Sequence, residues 1–309
     1  MTERIRAEAQ QLGFTSIGFA RATRLDREAD RLEAWLGKGY HGEMGYMANH
    51  FEERVDPRRL VEGAKTVISL AFNYHNPDRP TDPDPNTPRI ATYAYGEDYH
   101  HVLKAKLRTL LAFIRAEAPA PDEVEGRCFV DSAPLLERDW AARAGLGWNG
   151  KNTLLIHPRR GSYYFLAELV LNLEVDTYDS PLRDHCGTCT RCIDACPTQA
   201  ISPTGYVLDA TRCISYLTIE LRDALPTEFA GKMEHWAFGC DICQDVCPWN
   251  RFAHRHTEPA LEPHPDLLDL TARDWDDLTD EVFRRVFRRS AVRRTKFVGL
   301  KRNLDFLKK

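Results

Sequence analysis

Hydrophobic and polar positions follow two different periods along the first half of the chain. Short, nearly continuous apolar runs at 16–20, 66–72 and 163–175 predict buried strands of one sheet. Apolar residues three and four positions apart predict an amphipathic helix at the N-terminus and a longer helix over 99–118. Strands and helices mixed in this way predict an α+β fold built on a mixed sheet with helices.

Two further patterns lie in this half of the chain. Residues 127–130 predict a strand that ends at Asp131, and 132–144 predict the helix after it, with Pro134 in its first turn. The five prolines between 77 and 88 predict an extended surface loop.

The character of the chain changes near Tyr178. Residues 178–250 are rich in cysteine and turn residues, whereas 264–309 return to the apolar spacing of helices. We therefore expect a catalytic domain, a ferredoxin-like domain and a short C-terminal helical region. The expected boundaries are 1–176, 177–255 and 256–309.

Composition narrows the class of protein. Apolar residues make up 43% of the chain, which is enough for a folded core. No apolar run reaches the ~18 residues of a membrane helix, and the N-terminal segment has no apolar signal-peptide core. These features predict a cytoplasmic protein without a membrane partner.

Eight of the nine cysteines lie between positions 186 and 247. In a cytosolic chain, clustered cysteines indicate metal binding more often than disulfides. The first motif is a run of Cys186, Cys189, Cys192 and Cys196, followed by Pro197. Its spacing is that of bacterial ferredoxins, in which three thiolates bind one 4Fe–4S cluster and the fourth binds the other.

The second motif contains three cysteines before a proline, and Ala237 stands where a further cysteine is expected. Cys213 is the unclaimed cysteine nearby, and crossed ligation then completes both clusters. The predicted ligands of cluster one are Cys186, Cys189, Cys192 and Cys247. The predicted ligands of cluster two are Cys196, Cys213, Cys240 and Cys243.

Four thiolates in paired CxxC motifs can also hold structural zinc. The uninterrupted CxxCxxC run and the two Cys-Pro endings favour clusters over zinc or disulfides. Cys128 lies in a predicted strand and is expected to be a small buried apolar residue. Two clusters form an electron path, whose acceptor site we expect in the N-terminal domain.

Residues 145–150 fit the spacing GxGxxG, and Lys151 extends the match toward a phosphate-binding loop. Both kinds of site require a strand before the glycines and a helix after them. Here the predicted order is inverted, because a helix precedes and a strand at 153–157 follows. We interpret Gly145 as a helix C-cap before a tight turn, or the glycines as a place where backbone approaches another large ligand.

Several segments, together with the cysteine set, resemble epoxyqueuosine reductases. The matching segments are 95–100, 130–138, 145–152 and 299–304. The resemblance covers almost the whole chain, and ordinary ferredoxins lack the segments around Asp131 and Gly145. The family often has a longer C-terminal helical-repeat region, which we expect to be reduced or absent here.

The resemblance implies a reductive-dehalogenase-like N-terminal domain that binds cobalamin beside the nearer cluster. It also implies the activity, which is reduction of epoxyqueuosine to queuosine in the anticodon loop of a tRNA, the last step of queuosine synthesis. The chain lacks the Asp-x-His-x-x-Gly signature that supplies a histidine to cobalt in many cobalamin enzymes. The family's base-off binding mode does not require that signature.

The resemblance makes Asp131 the catalytic acid, at a strand end that faces the ligand pocket. A carboxylic acid serves at neutral pH only if burial raises its pKa. The alternative is that Asp131 or Ser132 merely caps the following helix. The expected polar contacts to cobalamin are Arg58, Tyr99, His100, Asp131, Asn152, His157, Ser215 and Asp241.

The net charge of −4 hides a basic tail. Residues 281–309 carry eleven Lys or Arg and only two acids. Uncompensated like charges at helical spacing repel, so the tail predicts an anionic partner, although a solvated helix face is the alternative. The family supplies a tRNA, whose phosphates such side chains hold. The expected contacts are Arg284, Arg285, Arg293, Arg294, Lys296, Lys301 and Arg302.

Three other functions remain open from the sequence. One is a plain two-cluster electron-transfer ferredoxin with an extra domain. Another is a cobalamin-dependent reductive dehalogenase, which has no need of the basic tail. The third is a zinc-bearing RNA-binding module without chemistry. We expect a monomer that receives electrons from a low-potential ferredoxin- or flavodoxin-like donor.

Overall fold

The computed structural model describes residues 1–78 and 87–308. Most of the predicted proline loop at 77–88 therefore lies outside the described residues. The helices are α1 Thr2–Gln11, α2 Asp26–Gly37, α3 Phe51–Val55, α4 Tyr99–Glu117, α5 Glu137–Arg143, α6 Arg191–Asp194, α7 Ile214–Ile219, α8 Ile242–Asp245, α9 Pro265–Leu268, α10 Ala272–Asp276, α11 Asp280–Val286 and α12 Lys296–Leu307. The strands are β1 Ser16–Arg21, β2 Thr66–Asn73, β3 Arg89–Ile90, β4 Gly126–Phe129, β5 Trp148–Asn149, β6 Leu155–Ile156, β7 Tyr164–Leu171 and β8 Trp236–Phe238.

The central sheet has the strand order β1-β2-β7-β4, and each neighbouring pair is antiparallel. The α+β class is confirmed, and parallel pairing occurs between β3 and β8, outside this sheet. In the register, Glu168 of β7 lies opposite both Ser69 of β2 and Phe129 of β4. An acidic residue therefore occupies the middle of the sheet.

Helices cover both faces of the central sheet. On one face α4 buries its predicted apolar stripe, with Leu103, Leu107 and Ile114 inaccessible to water. On the other face α5 packs through Trp140 and Ala141. The N-terminal ends of α4 and α5 meet near the end of β4, at the position of Asp131.

The predicted helix over 132–144 is shorter than expected, because α5 begins only at Glu137. Asp131 has φ of 54°, in the left-handed region, and the Ser132 N–H donates to the carbonyl of Val130 at 2.6 Å. The chain turns here instead of starting a helix. The N-cap of α5 is Leu136, so neither Asp131 nor Ser132 caps it.

The glycine-rich segment after α5 has a structural explanation. Gly145 has φ of 77° directly after the helix, which fits the predicted C-cap. A Cβ atom on Gly147 would lie 2.2 Å from the carbonyl oxygen of Ile156. Gly147 thus allows the backbones of β5 and β6 to approach each other closely. The packing of this pair explains the glycine without a phosphate-binding loop.

The C-terminal segment is helical, as predicted. The helices α11 and α12 bury Phe283, Phe287 and Leu300 in a cluster shared with Phe238 of β8. This packing joins the tail to the cysteine-rich segment. No helix in the described part of the chain is both long and apolar enough to cross a membrane.

Candidate active site

Asp131 lies at the centre of a hydrogen-bonded group. Tyr99 Oη donates to Asp131 Oδ2 at 2.8 Å, and His100 Nε2 lies 3.3 Å from the same oxygen. The other ring nitrogen of His100, Nδ1, lies 2.7 Å from Asp98 Oδ1. Because Asp98 also caps α4, the start of that helix delivers both partners to Asp131.

This arrangement sets the protonation of the group. Burial alone would lower the pKa of His100, but its hydrogen bonds to Asp131 and Asp98 raise that pKa to about 9. Burial alone would raise the pKa of Asp131, but hydrogen bonds from His100 and Tyr99 hold it below its ordinary value. At neutral pH, an imidazolium therefore lies between two carboxylates.

The pKa of Asp131 is therefore lowered, and not raised as we expected for a buried acid. Its partners stabilise the carboxylate more strongly than burial destabilises it. Its side chain remains 63% exposed, so a ligand can reach it even though surrounding protein partly desolvates it. His100, which is hydrogen-bonded to Asp131, has a raised pKa of about 9 and is therefore the protonated partner of that carboxylate at neutral pH.

An ion pair between Arg294 and Glu220 acts electrostatically on the group around Asp131. Arg294 donates to both carboxylate oxygens of Glu220, at 3.1 and 2.9 Å, and its guanidinium lies 5.9 Å from the ring centre of Tyr46. The charge of Arg294 also lowers the pKa of Asp131, after the larger effects of burial, His100 and Tyr99. The basic tail therefore reaches the immediate surroundings of Asp131.

Tyr93 connects this site to the cysteine-rich segment. Its ring centre lies 6.1 Å from those of Tyr99 and Phe238. The preceding residue, Thr92, donates its N–H and its hydroxyl to Asp241 Oδ2, both at 2.8 Å. Asp241 directly follows Cys240, so these contacts connect a predicted cluster ligand with the hydrogen-bonded group around Asp131.

The eight predicted ligands fall into two groups of four in space. Burial, followed by the neighbouring Cys186, Cys247 and Cys189, raises the pKa of Cys192 to about 11. These four are the thiols assigned to cluster one. Cys247 in turn neighbours Cys186 and Cys189.

The second group is assembled in the same way. Burial raises the pKa of Cys243 well above its ordinary value, and Cys213, Cys192 and Cys196 raise it further. Cys240 neighbours both Cys243 and Cys213. These four are the thiols assigned to cluster two, and the electrostatic effect of Cys192 on Cys243 links the two groups.

The surroundings of these thiols suit iron–sulfur clusters. Buried thiolates need positive partners, and cluster iron supplies them. N–H groups point at the sulfurs, from Trp148 Nε1 to Cys186 Sγ at 3.5 Å and from the Ala200 amide to Cys196 Sγ at 3.3 Å. Among the described residues, no three His, Cys, Asp or Glu side chains converge as ligands of a single ion do.

Lys151 supports the first cysteine loop, a role that the sequence did not reveal. Its ammonium donates to the carbonyls of Gly187 and Cys189, at 2.7 and 3.0 Å. The lysine that resembled part of a phosphate-binding loop thus stabilises the loop around cluster one.

The residues predicted to contact cobalamin do not all come together. Tyr99 and His100 contact Asp131, as described above. Asn152 and Ser215 lie beside cluster-two cysteines, since Asn152 Nδ2 donates to the Cys243 carbonyl at 3.3 Å and the Ser215 amide faces the Cys213 sulfur. Asp241 binds Thr92.

Two of the predicted cobalamin contacts are engaged elsewhere. Arg58 forms a two-point ion pair with Asp56, at 2.7 and 2.8 Å. His157 accepts the Arg159 N–H in a turn, and burial lowers its pKa to about 4. Nothing in these contacts directs either side chain toward Asp131.

The predicted tRNA-binding residues also divide. Arg302 donates to the carbonyls of Leu217, Leu221 and Asp223, so its guanidinium is used inside the protein. Lys301 donates to the carbonyl of Asp276 at 2.8 Å. Of the other predicted residues, Arg284 and Arg285 are exposed and pair with acidic side chains, Arg293 donates to the carbonyl of Arg288, and Lys296 is exposed.

Comparisons with known proteins agree with this geometry. A protein-family model described as "epoxyqueuosine reductase QueG, DUF1730" matches residues 54–132, and one described as "4Fe-4S double cluster binding domain" matches 185–250. The epoxyqueuosine reductase of Cellulophaga algicola is 58% identical over 304 residues, which are 98% of this chain and 97% of that protein.

Solved structures extend the comparison. The crystal structure of an epoxyqueuosine reductase with an epoxyqueuosine-modified tRNA-Tyr stem loop has a TM-score of 0.89 and 32% identity, and the match covers 99% of this chain and 80% of that one. A catabolic reductive dehalogenase shares the fold at a TM-score of 0.50 and 17% identity, over 98% of this chain and 37% of that one.

Proposed function

The chain belongs to the epoxyqueuosine reductase family, and we propose that it reduces epoxyqueuosine to queuosine in the anticodon loop of a tRNA, in the cytoplasm. The observation that carries the proposal is the chain Asp98–His100–Asp131, which ends in an accessible carboxylate beside the basic tail. A relative of this fold binds an epoxyqueuosine-modified tRNA stem loop.

The cofactors of the family are cobalamin and two 4Fe–4S clusters. Both ring nitrogens of His100 are hydrogen-bonded, so it is not available to cobalt, which fits base-off cobalamin without a histidine ligand. Tyr93, Tyr99 and Arg294 would border the corrin, and the two thiol groups would hold the clusters. When bound, cobalamin supplies two electrons to the epoxide carbon, and the clusters replace them one at a time.

The protein's own residues manage the protons. Opening the epoxide to an alkene consumes two electrons and two protons, and releases water. Asp131, as a carboxylate, takes the Nε2 proton of the His100 imidazolium and relays it to the oxygen as that oxygen leaves carbon. His100 is 26% exposed and regains its proton from solvent, so the second proton follows the same route. Tyr99 orients the Asp131 carboxylate through its hydrogen bond, and Asp98 keeps His100 charged.

The thiols assigned to cluster two would hold the cluster nearer to Asp131, because Cys240 precedes Asp241, which binds Thr92 next to Tyr93. Those assigned to cluster one would hold the cluster that supplies it with electrons. A low-potential ferredoxin- or flavodoxin-like donor would reduce cluster one, and we expect a monomer. The proposed domains are those of the sequence analysis, 1–176, 177–255 and 256–309.

The tRNA is proposed to lie along the exposed cations of the tail. Arg284, Arg285, Arg293 and Lys296 would hold backbone phosphates, while Arg294 lies where the modified base enters. We assign Lys301 and Arg302 a structural role instead, because their donors are bonded within the protein.

The test of this proposal compares Asp131→Asn with the wild-type protein, both reconstituted with clusters and cobalamin. A low-potential reductant and epoxyqueuosine-containing tRNA are supplied, and queuosine is measured. We expect the variant to lose about 10²-fold or more in kcat, because its amide cannot relay a proton. Wild-type turnover by Asp131→Asn would refute the catalytic assignment.

A further inference from the structure

The hydrogen bonds of Asp131 extend behind the site to a carboxyl group that the reaction does not use. The backbone N–H of Asp131 donates to Glu137 Oε1 at 2.6 Å. Glu137 is the first residue of α5, a helix packed against the sheet through the fully buried Trp140 and Ala141. A rigid element therefore holds the backbone of the residue that is proposed to relay the proton.

Asp131 needs such support because of its own backbone. Its φ of 54° is a conformation that residues with a Cβ rarely adopt, and it persists only where the surroundings enforce it. The next residues, 132–136, form no regular hydrogen-bonded element. On their far side, Lys104 Nζ donates to Ser132 Oγ at 3.1 Å.

Glu137 has a second, fully buried carboxyl group, that of Glu168, as a neighbour. Glu168 is 0% exposed in the middle of β7, and burial raises its pKa well above the ordinary value and that of Glu137 to about 8. The Glu168 oxygens meet no strict hydrogen-bond geometry among the described residues. The two carboxyl groups are therefore neighbours, and the charge of Glu137 raises the pKa of Glu168 further, without a fixed hydrogen bond between them.

A carboxyl group buried in the middle of a sheet, as Glu168 is, lowers stability compared with an apolar side chain, so its presence beside Glu137 calls for a functional explanation. We propose that Glu137 is a positioning residue that fixes the Asp131 carboxylate for proton transfer by accepting the Asp131 backbone N–H. This inference rests on the proposed role of Asp131 in epoxide reduction.

Two substitutions distinguish a role of Glu137 as a hydrogen-bond acceptor from a role as an acid. In Glu137→Gln, the amide oxygen can accept the same N–H, whereas Glu137→Ala removes the acceptor. Asp139→Asn is the matched control, because Asp139 lies in the same helix and accepts instead from Asn149 Nδ2, at 2.8 Å. All variants are compared as holoenzymes with known cluster and cobalamin content.

We expect Glu137→Ala to lower kcat by about 10²-fold while KM for the tRNA changes by less than about threefold, since only the geometry of proton transfer is lost. Glu137→Gln should remain within about threefold of wild type, because it restores the acceptor. Asp139→Asn should match the wild-type protein. A role in folding alone would not produce a kcat defect that glutamine rescues.

If Glu137→Ala fails to fold or to load its cofactors, Glu137→Asp gives the decisive result. Its carboxyl is one methylene too short to reach the Asp131 amide, so kcat should fall although an acid remains. Wild-type kcat in a loaded Glu137→Ala or Glu137→Asp overturns the inference. So does an equal loss in the Gln and Ala variants. If Asp131→Asn also turns over normally, the proposed role of Asp131 fails, whereas a loaded wild-type protein that forms no queuosine would refute the proposed function itself.

Discussion

The charge of Asp98 should set the alkaline limit of activity. Asp98 Oδ1 lies 2.7 Å from His100 Nδ1 and is one reason that the pKa of His100 rises from 6.5 to about 9. A raised pKa means that the imidazolium is present below about pH 9 and is lost as the pH rises through that value. The rate of proton delivery should therefore fall across the same interval.

Asp98→Asn removes the charge but keeps an oxygen that can cap α4, because asparagine is as good an N-cap as aspartate. If loss of the charge lowers the pKa of His100 by about one unit, the protonated fraction at pH 9 drops from about 50% to about 10%, whereas at pH 7 it stays above about 90%. The variant should be roughly fivefold slower at pH 9 and nearly unchanged at pH 7.

The assay is single-turnover queuosine formation by the reconstituted holoenzyme between pH 6 and pH 10. Glu117→Gln is the control, because Glu117 lies at the opposite end of α4 and pairs with Arg4. Its alkaline midpoint should match that of the wild-type protein. If Asp98→Asn has that midpoint too, His100 is not the source of the proton.

Other predictions follow from the clusters and the tail. Cys213→Ala should lower the iron content from about eight to about four per chain, since it removes a ligand of cluster two; unchanged iron and spectra would contradict the crossed ligation. The double variant Arg293→Glu, Lys296→Glu should weaken tRNA binding and flatten its salt dependence, with cofactor content unchanged. Arg302→Ala should instead lower the melting temperature and leave the salt slope as it is, because Arg302 satisfies buried carbonyls.

Local patterns predicted the framework well. The strands near 16–20 and 66–72 and the helix over 99–118 are present because their apolar periodicity matches the burial that each element undergoes. The predicted helix over 132–144 is longer than the observed one, because the backbone turns at Asp131 and Ser132. The Asp131 N–H donates to Glu137 in that turn, and no periodicity of apolar residues encodes this contact.

The site was predictable only in part. Cysteine spacing suggested both clusters, because a ferredoxin motif records its ligand geometry in sequence. Asp98, Glu137 and Tyr93 were missed, since their roles arise from contacts that β4, α4 and α5 make only after folding. Charge counting selected Arg302 as a phosphate contact, but a count cannot show that its donors already bind carbonyls.

The most direct test of the account measures electrons and product together. The holoenzyme is titrated anaerobically with a low-potential reductant in the presence of excess epoxyqueuosine-containing tRNA, and nucleosides from the digested tRNA are quantified by mass spectrometry. The account predicts one queuosine for every two electrons, and none from protein that contains clusters but no cobalamin. Queuosine formed without cobalamin, or reduced holoenzyme that leaves epoxyqueuosine intact, would contradict it.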